Sequence, residues 1–553
     1  WQIGFILKEV PDIMGRPKML IVGWDGATFD VINPLLLKSR LPNIASLLQT
    51  GASGRLESTV PPLTPVAWTS ISTGVNPGKH GIYDAMLYNN QTHSITFVNS
   101  TMRKVKPVWK ILSERGRKVG VLNVPVTYPP DEVGGFVIPG MFTPEGTSNF
   151  IYPQQLQEEI ENRFGEYRIE CNRDDNPSKF LKSILEMIDF REKVSLYLMD
   201  RNPLDFFFVA FVASDRVQHF YWKYLDPSHP EHHKYGDAIA LVYERLDQAL
   251  GSLLNKVGPD TNVVMVSDHG AGTLNYAFFL NNWLLKKGYL RLKEDPSIAL
   301  KARGNSKLKS LVRKSIKKII PSGILGRIRS YGVDGGQREL NRFCSLIDWD
   351  NTMAFSEGAG GGIYINCDAT GEGRYKDLVA ELTEELYNIV DQSGKKVVKM
   401  VHGRDELYHG DYVKYAPDLI VICNAGCQVI APNELLYFNK DYSDALFLSH
   451  RWSARHEKHG IFVLHGPAVK KNIEIKESRV TDIAPTVLYL MNEAIPEYMD
   501  GKVLDDAIEK EYITENPVRH ESYVVQQESI GMKLSEEEEK DIAEKLKGLG
   551  YIE

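Results

Sequence analysis

The chain has 553 residues, room for about four modules of ordinary domain size, and it is 43% hydrophobic, 25% charged and 10% aromatic, as globular proteins are. Acidic residues outnumber basic ones by 72 to 65, a net charge of −7, which argues against wholesale disorder and against specific nucleic-acid binding. The longest clean apolar stretch, residues 206–213, falls far short of the roughly 20 needed to span a membrane, and five cysteines without metal-ligand spacing suggest neither a disulfide framework nor a zinc ribbon.

Residues 1–18 lack a basic start followed by an apolar core and read as a loose arm, which together with the sparse cysteines points to a cytoplasmic protein. Strands are predicted at 19–24 (MLIVGW), 118–124, 206–212, 262–267, 361–365, 418–423 and 460–464, with helices at 108–114, 238–257 and 375–391. Short apolar runs alternating with helical patterns imply an α/β fold: a large, mostly parallel central sheet with helices on both faces. Residues 301–330 break the rhythm, carrying ten basic and no acidic residues. Within them 306–320 reads as a basic amphipathic helix, suited to a solvated cap or to peripheral contact with anionic surfaces. The predicted organisation is a core of 19–290 and 345–505, a helical cap inserted at 291–344, and an extension at 506–553 packed on the core.

Ligands of open parallel sheets bind beyond the carboxyl ends of the strands. Three such exits carry an aspartate, Asp25, Asp215 and Asp268, and two add a histidine, His219 and His269; the strand at 460–464 is entered from a loop holding His456 and His459. Carboxylate oxygen and imidazole nitrogen suit zinc and similar divalent ions, and there are enough of them for two. An aspartate after a strand also caps a following helix, but capping leaves the histidines unexplained. His80, His402 and His520 read as structural or surface residues.

In the segment PPLTPVAWTSISTGVNPGKHGI, Thr64 precedes Pro65 and a helical run. Thr64 is therefore predicted as the N-cap, with the amides of Thr64, Val66 and Ala67 facing a bound anion such as phosphate.

These blocks (IVGWDGATFD, LTPVAWTSISTGVNPGKHGI, ASDRVQHFYW, VVMVSDHGAG and HEKHGIFVLHGPAVK) resemble, in this order, the alkaline phosphatase superfamily, and within it the type I phosphodiesterase/nucleotide pyrophosphatase family. The resemblance implies a phosphoester hydrolase in which Thr64 is the nucleophile and becomes phosphorylated. One divalent ion would sit on Asp25, Asp268, His269 and Thr64, and the other on Asp215, His219 and His456, with His459 as the alternative ligand. Zinc is the first choice of ion, manganese or magnesium the alternatives, and the partner is a small-molecule phosphoester. A phosphotransferase or phosphomonoesterase of the same superfamily is the competing reading, and a non-catalytic anion- or membrane-binding member ranks below it. Oligomeric state leaves no trace in the sequence.

Overall fold

The run MLIVGW forms a strand whose six residues are all buried. Leu20, Val22 and Trp24 face one apolar core while Met19 and Ile21 face another. A strand covered on both sides must be apolar throughout, which is why no polar alternation marks it. The computed structural model describes residues 17–144, 147, 149–171, 173–293, 344–358, 360–430, 447–448, 453–522, 538 and 541–543. The basic segment 306–320, the cap apart from its two ends, and the arm before residue 17 lie outside these residues.

The central sheet comprises β1 (Met19–Trp24), β2 (Ala52–Glu57), β3 (Val119–Leu122), β4 (Gly135–Ile138), β5 (Phe206–Phe211), β6 (Asn262–Val266), β7 (His459–His465) and β8 (Ile473–Glu474), in the spatial order β8-β2-β7-β6-β1-β5-β3-β4. Pairing is parallel except on both sides of β7. Helices α1 (Thr64–Thr73), α2 (Pro177–Arg201), α3 (Ala213–Tyr221), α4 (Ala238–Val257) and α5 (Ile483–Leu490) cover it. Residues of α2, α3 and α4 join the core that holds Leu20 and Val22, and those of α1 and α5 join the opposite core. The expected α/β architecture, with helices on both faces of a mostly parallel sheet, is what forms.

Two predicted strands belong elsewhere. Gly362–Ile365 and Leu419–Cys423 pair with Ala354–Phe355 and Val398–Gly403 in a separate four-stranded antiparallel sheet. Both are short apolar runs, buried but for Ile422, and composition alone does not separate such runs from central strands of a parallel sheet. A strand not foreseen, Gly270–Phe279, follows β6 directly and pairs antiparallel with Ala454–Glu457, setting His456 opposite Ala271.

Candidate active site

The strand exits deliver their acids to one rim. Asp25 follows β1, Asp268 and His269 follow β6, and Asp215 lies in the first turn of α3 with His219 one turn further on the same face. None of the three aspartates caps a helix: Thr28 caps the helix after β1, Val212 stands at the cap of α3, and Asp268 leads into a strand. His456 reaches the rim because β7 runs against its neighbours and so begins where they end.

Two trios result, Asp25–Asp268–His269 and Asp215–His219–His456, each offering ligand atoms within 4.8 Å of one another. Nε2 of His219 lies 3.1 Å from Asp215 Oδ1 and 3.1 Å from His456 Nε2. Nε2 of His269 lies 3.3 Å from Asp268 Oδ2 and 3.6 Å from Asp25 Oδ1. The rings of His269 and His456 stack at 3.6 Å, which joins the trios, and Thr64 Oγ1 is 3.1 Å from His269 Nε2. Thr64, Asp25, Asp268 and His269 are completely buried.

All three imidazoles are oriented alike. Nδ1 donates to a backbone carbonyl, that of Ala454 for His219, Gly270 for His269 and Pro62 for His456, at 2.9–3.0 Å. A carbonyl only accepts, so the neutral ring carries its proton on Nδ1 and turns the Nε2 lone pair into the site. Burial, with His456 nearby, holds His269 well below the usual imidazole range, and burial lowers His456 too.

Carboxylates complete the case for cations. Asp25 Oδ1 and Asp268 Oδ2 are sealed from solvent with no hydrogen-bond partner among the described residues. Burial pushes both carboxyls well above the usual range, Asp215 adding to the rise at Asp25 and Asp25 to that at Asp268. Asp215 behaves oppositely: burial would raise it, but His219, His456 and Arg216 outweigh burial and hold it low. Buried, uncompensated oxygens facing imidazole lone pairs are costly unless a cation joins them, so the donor set fits divalent metal.

The model of the type I phosphodiesterase/nucleotide pyrophosphatase family matches residues 19–323, more than half of the chain. The chain belongs to that family. It is accordingly a hydrolase of phosphoric ester or anhydride bonds. Human ectonucleotide pyrophosphatase/phosphodiesterase 5 is similar at 16% identity and a TM-score of 0.49, covering 89% of this chain and 100% of its own. The murine protein gives 15%, the same coverages and 0.50, and an inactive murine variant in complex with AMP gives 15%, again the same coverages, and 0.51. At this identity the murine structures share the fold. No curated protein matches by sequence.

Some predicted site residues stand elsewhere than expected. Thr64 is the first helical residue, not the N-cap; Leu63 is the cap and Pro65 the second residue. Val66 and Ala67 were expected to face an anion, but both amides donate to the Leu63 carbonyl, at 3.0 and 2.9 Å, because shifting the cap by one residue closes the turn over them. His459 opens β7 opposite Glu57 and is exposed, away from both trios. His80 is buried, accepting from Ile82 N and bonded to Ser70 Oγ; His520 is exposed. Sequence reasoning missed two supports. Trp68 Nε1 donates to Asp25 Oδ2 at 2.8 Å, and Arg216 Nη1 donates to Asp215 Oδ2 at 2.7 Å. Helical spacing was the available signal for Trp68, one turn beyond Thr64; for Arg216 it was a charged residue beside a strand-exit acid.

Proposed function

We propose that this enzyme cleaves phosphodiesters or pyrophosphates in two displacements through a phospho-threonine at Thr64. Two divalent ions, zinc in first place, would be held by Asp25, Asp268, His269 and Thr64, and by Asp215, His219 and His456. The observation that carries the reading is the placement of Thr64 Oγ1, 3.1 Å from His269 Nε2 at the junction of two trios of metal-ligand type, buried but for the partly exposed His456. The threonine-to-alanine variant of the murine neighbour, described as inactive and in complex with AMP, agrees with it.

When bound, two divalent ions supply Lewis-acid charge that acidifies a hydroxyl and neutralises a leaving alkoxide. The protein supplies position. Thr64 stands in the first turn of α1, where the helix dipole favours an anionic substrate, and its burial keeps bulk water from competing. In the first displacement the Thr64 oxygen bonds to phosphorus, the P–O bond to one alcohol breaks, and that alcohol departs with the hydroxyl proton. In the second, water bonds to phosphorus and the Thr64 O–P bond breaks; one proton of the water returns to Thr64 and the other leaves with the phosphomonoester.

Thr64→Ala should lower kcat on a chromogenic diester by about three orders of magnitude or more with an unchanged melting temperature. Acid quenching of wild type during turnover should trap phosphate on Thr64. Full turnover by Thr64→Ala would overturn the reading, and diversion of product to an added alcohol would favour a phosphotransferase. No helix among the described residues is long and apolar enough to cross a membrane. The five cysteines are unbridged, which fits a reducing compartment, and we place the enzyme in the cytoplasm.

A further inference from the structure

The two trios differ in what braces their carboxylates. In the first, Asp25 Oδ2 accepts from Trp68 Nε1 and Asp268 Oδ1 accepts from the Gly26 amide at 3.1 Å. Both donors are neutral, so no cationic side chain is bonded to either of the two acids that face the site. In the second, the single carboxylate, Asp215, accepts through Oδ2 from the guanidinium of Arg216, which is completely buried. Arg216 Nε in turn lies 3.5 Å from Oε2 of Glu170, whose side chain is 7% exposed. A buried cation beside the only acid of a site opposes a second cation there, and charges act strongly over such distances away from water.

Resting on the two-ion reading above, we infer that the positions load unequally. Asp25, Asp268 and His269 form the tight, resident position. Asp215, His219 and His456 form a loose, exchangeable one, because Arg216 is a built-in counter-charge that Glu170 tempers. Arg216 and Glu170 are positioning residues that act through Asp215, and the response of the enzyme to metal supply runs through the second position.

The test is equilibrium titration of the metal-free, full-length protein with Zn2+ against a chromophoric chelator, with metal content measured after dialysis. The two equivalents should differ on the order of 10- to 100-fold, the usual reach of groups behind metal ligands. Repulsion between neighbouring ions alone separates two steps, so the variants decide. His219→Ala should keep the tight step and lose the weak one, whereas Asp268→Asn should lose the tight one. Arg216→Gln should tighten the weak step about tenfold, and Glu170→Gln, which leaves the guanidinium in place, should loosen it. Should Arg216→Gln melt early, Glu170→Gln alone gives the sign. Loss of the tight step in His219→Ala, or tightening in Glu170→Gln, would overturn the inference while leaving two bound ions intact. A wild type that binds no divalent ion would bring down the two-ion reading with it.

Discussion

How Asp25 is held turns on a neighbouring glycine. A Cβ at Gly23 would come within 2.4 Å of the Trp68 ring, the same indole whose N–H fixes Asp25 Oδ2. Gly23→Ala should therefore push the ring away, destabilising the metal-free protein by about 1–3 kcal/mol and weakening zinc binding on the order of 10- to 100-fold. Trp68→Phe keeps most of the bulk but drops the donor, so it should reproduce the loss of affinity with a smaller loss of stability. Thermal melts and zinc competition separate the two effects, and normal zinc affinity in both variants would show that the indole does not brace the site. The acids themselves were legible because each follows an unmistakable apolar run. Trp68 was not, since its bond reaches back 43 residues, and neither were the carbonyls of Ala454, Gly270 and Pro62, which carry no side-chain identity to read.

Strand direction decides which histidine serves. A parallel strand offers the residues after it to the rim; an antiparallel one offers the residues before it, and β7 is the antiparallel member. The chain turns a corner between Ala454–Glu457 and β7, leaving His456 inside the corner and His459 already in the ladder opposite Glu57. His456→Ala should thus lose one equivalent of zinc and most activity, while His459→Ala should keep both equivalents. Metal analysis of the dialysed variants checks this, and the reverse pattern would reassign the ligand. The sequence left both histidines open because a run such as GIFVL reads the same in either direction. For the same reason Gly362–Ile365 and Leu419–Cys423 could not be kept out of the central sheet. The strand Gly270–Phe279 escaped notice because its first half, GAGTL, has neither the β-branched content nor the alternation of a strand.

Across the whole molecule, two buried groups outside the site set opposing responses to acid. His80 is held down to about 3 from an ordinary 6.5, by burial first and then by Arg103, against the pull of Asp500. Asp84 is pushed up to about 6 from 3.8 by burial, although the amides of Ala85 and Gly360 bond it, and it shares its surroundings with Glu357. Between pH 6.5 and 3 the unfolded chain binds more protons at His80 than the native one does. The stability His80 contributes is therefore present above 6.5 and lost as pH falls, by up to about 5 kcal/mol at ~1.4 kcal/mol per unit. Between 3.8 and 6 the native state holds the extra proton at Asp84, so its contribution of about 3 kcal/mol is present below 3.8 and lost as pH rises. Over the shared window the slopes oppose and largely cancel. Urea-unfolding free energies of the metal-free protein from pH 4 to 6 should consequently fall with pH in His80→Gln, relative to wild type, and rise with pH in Asp84→Asn. Parallel curves for all three proteins would mean that neither group changes its proton affinity on folding.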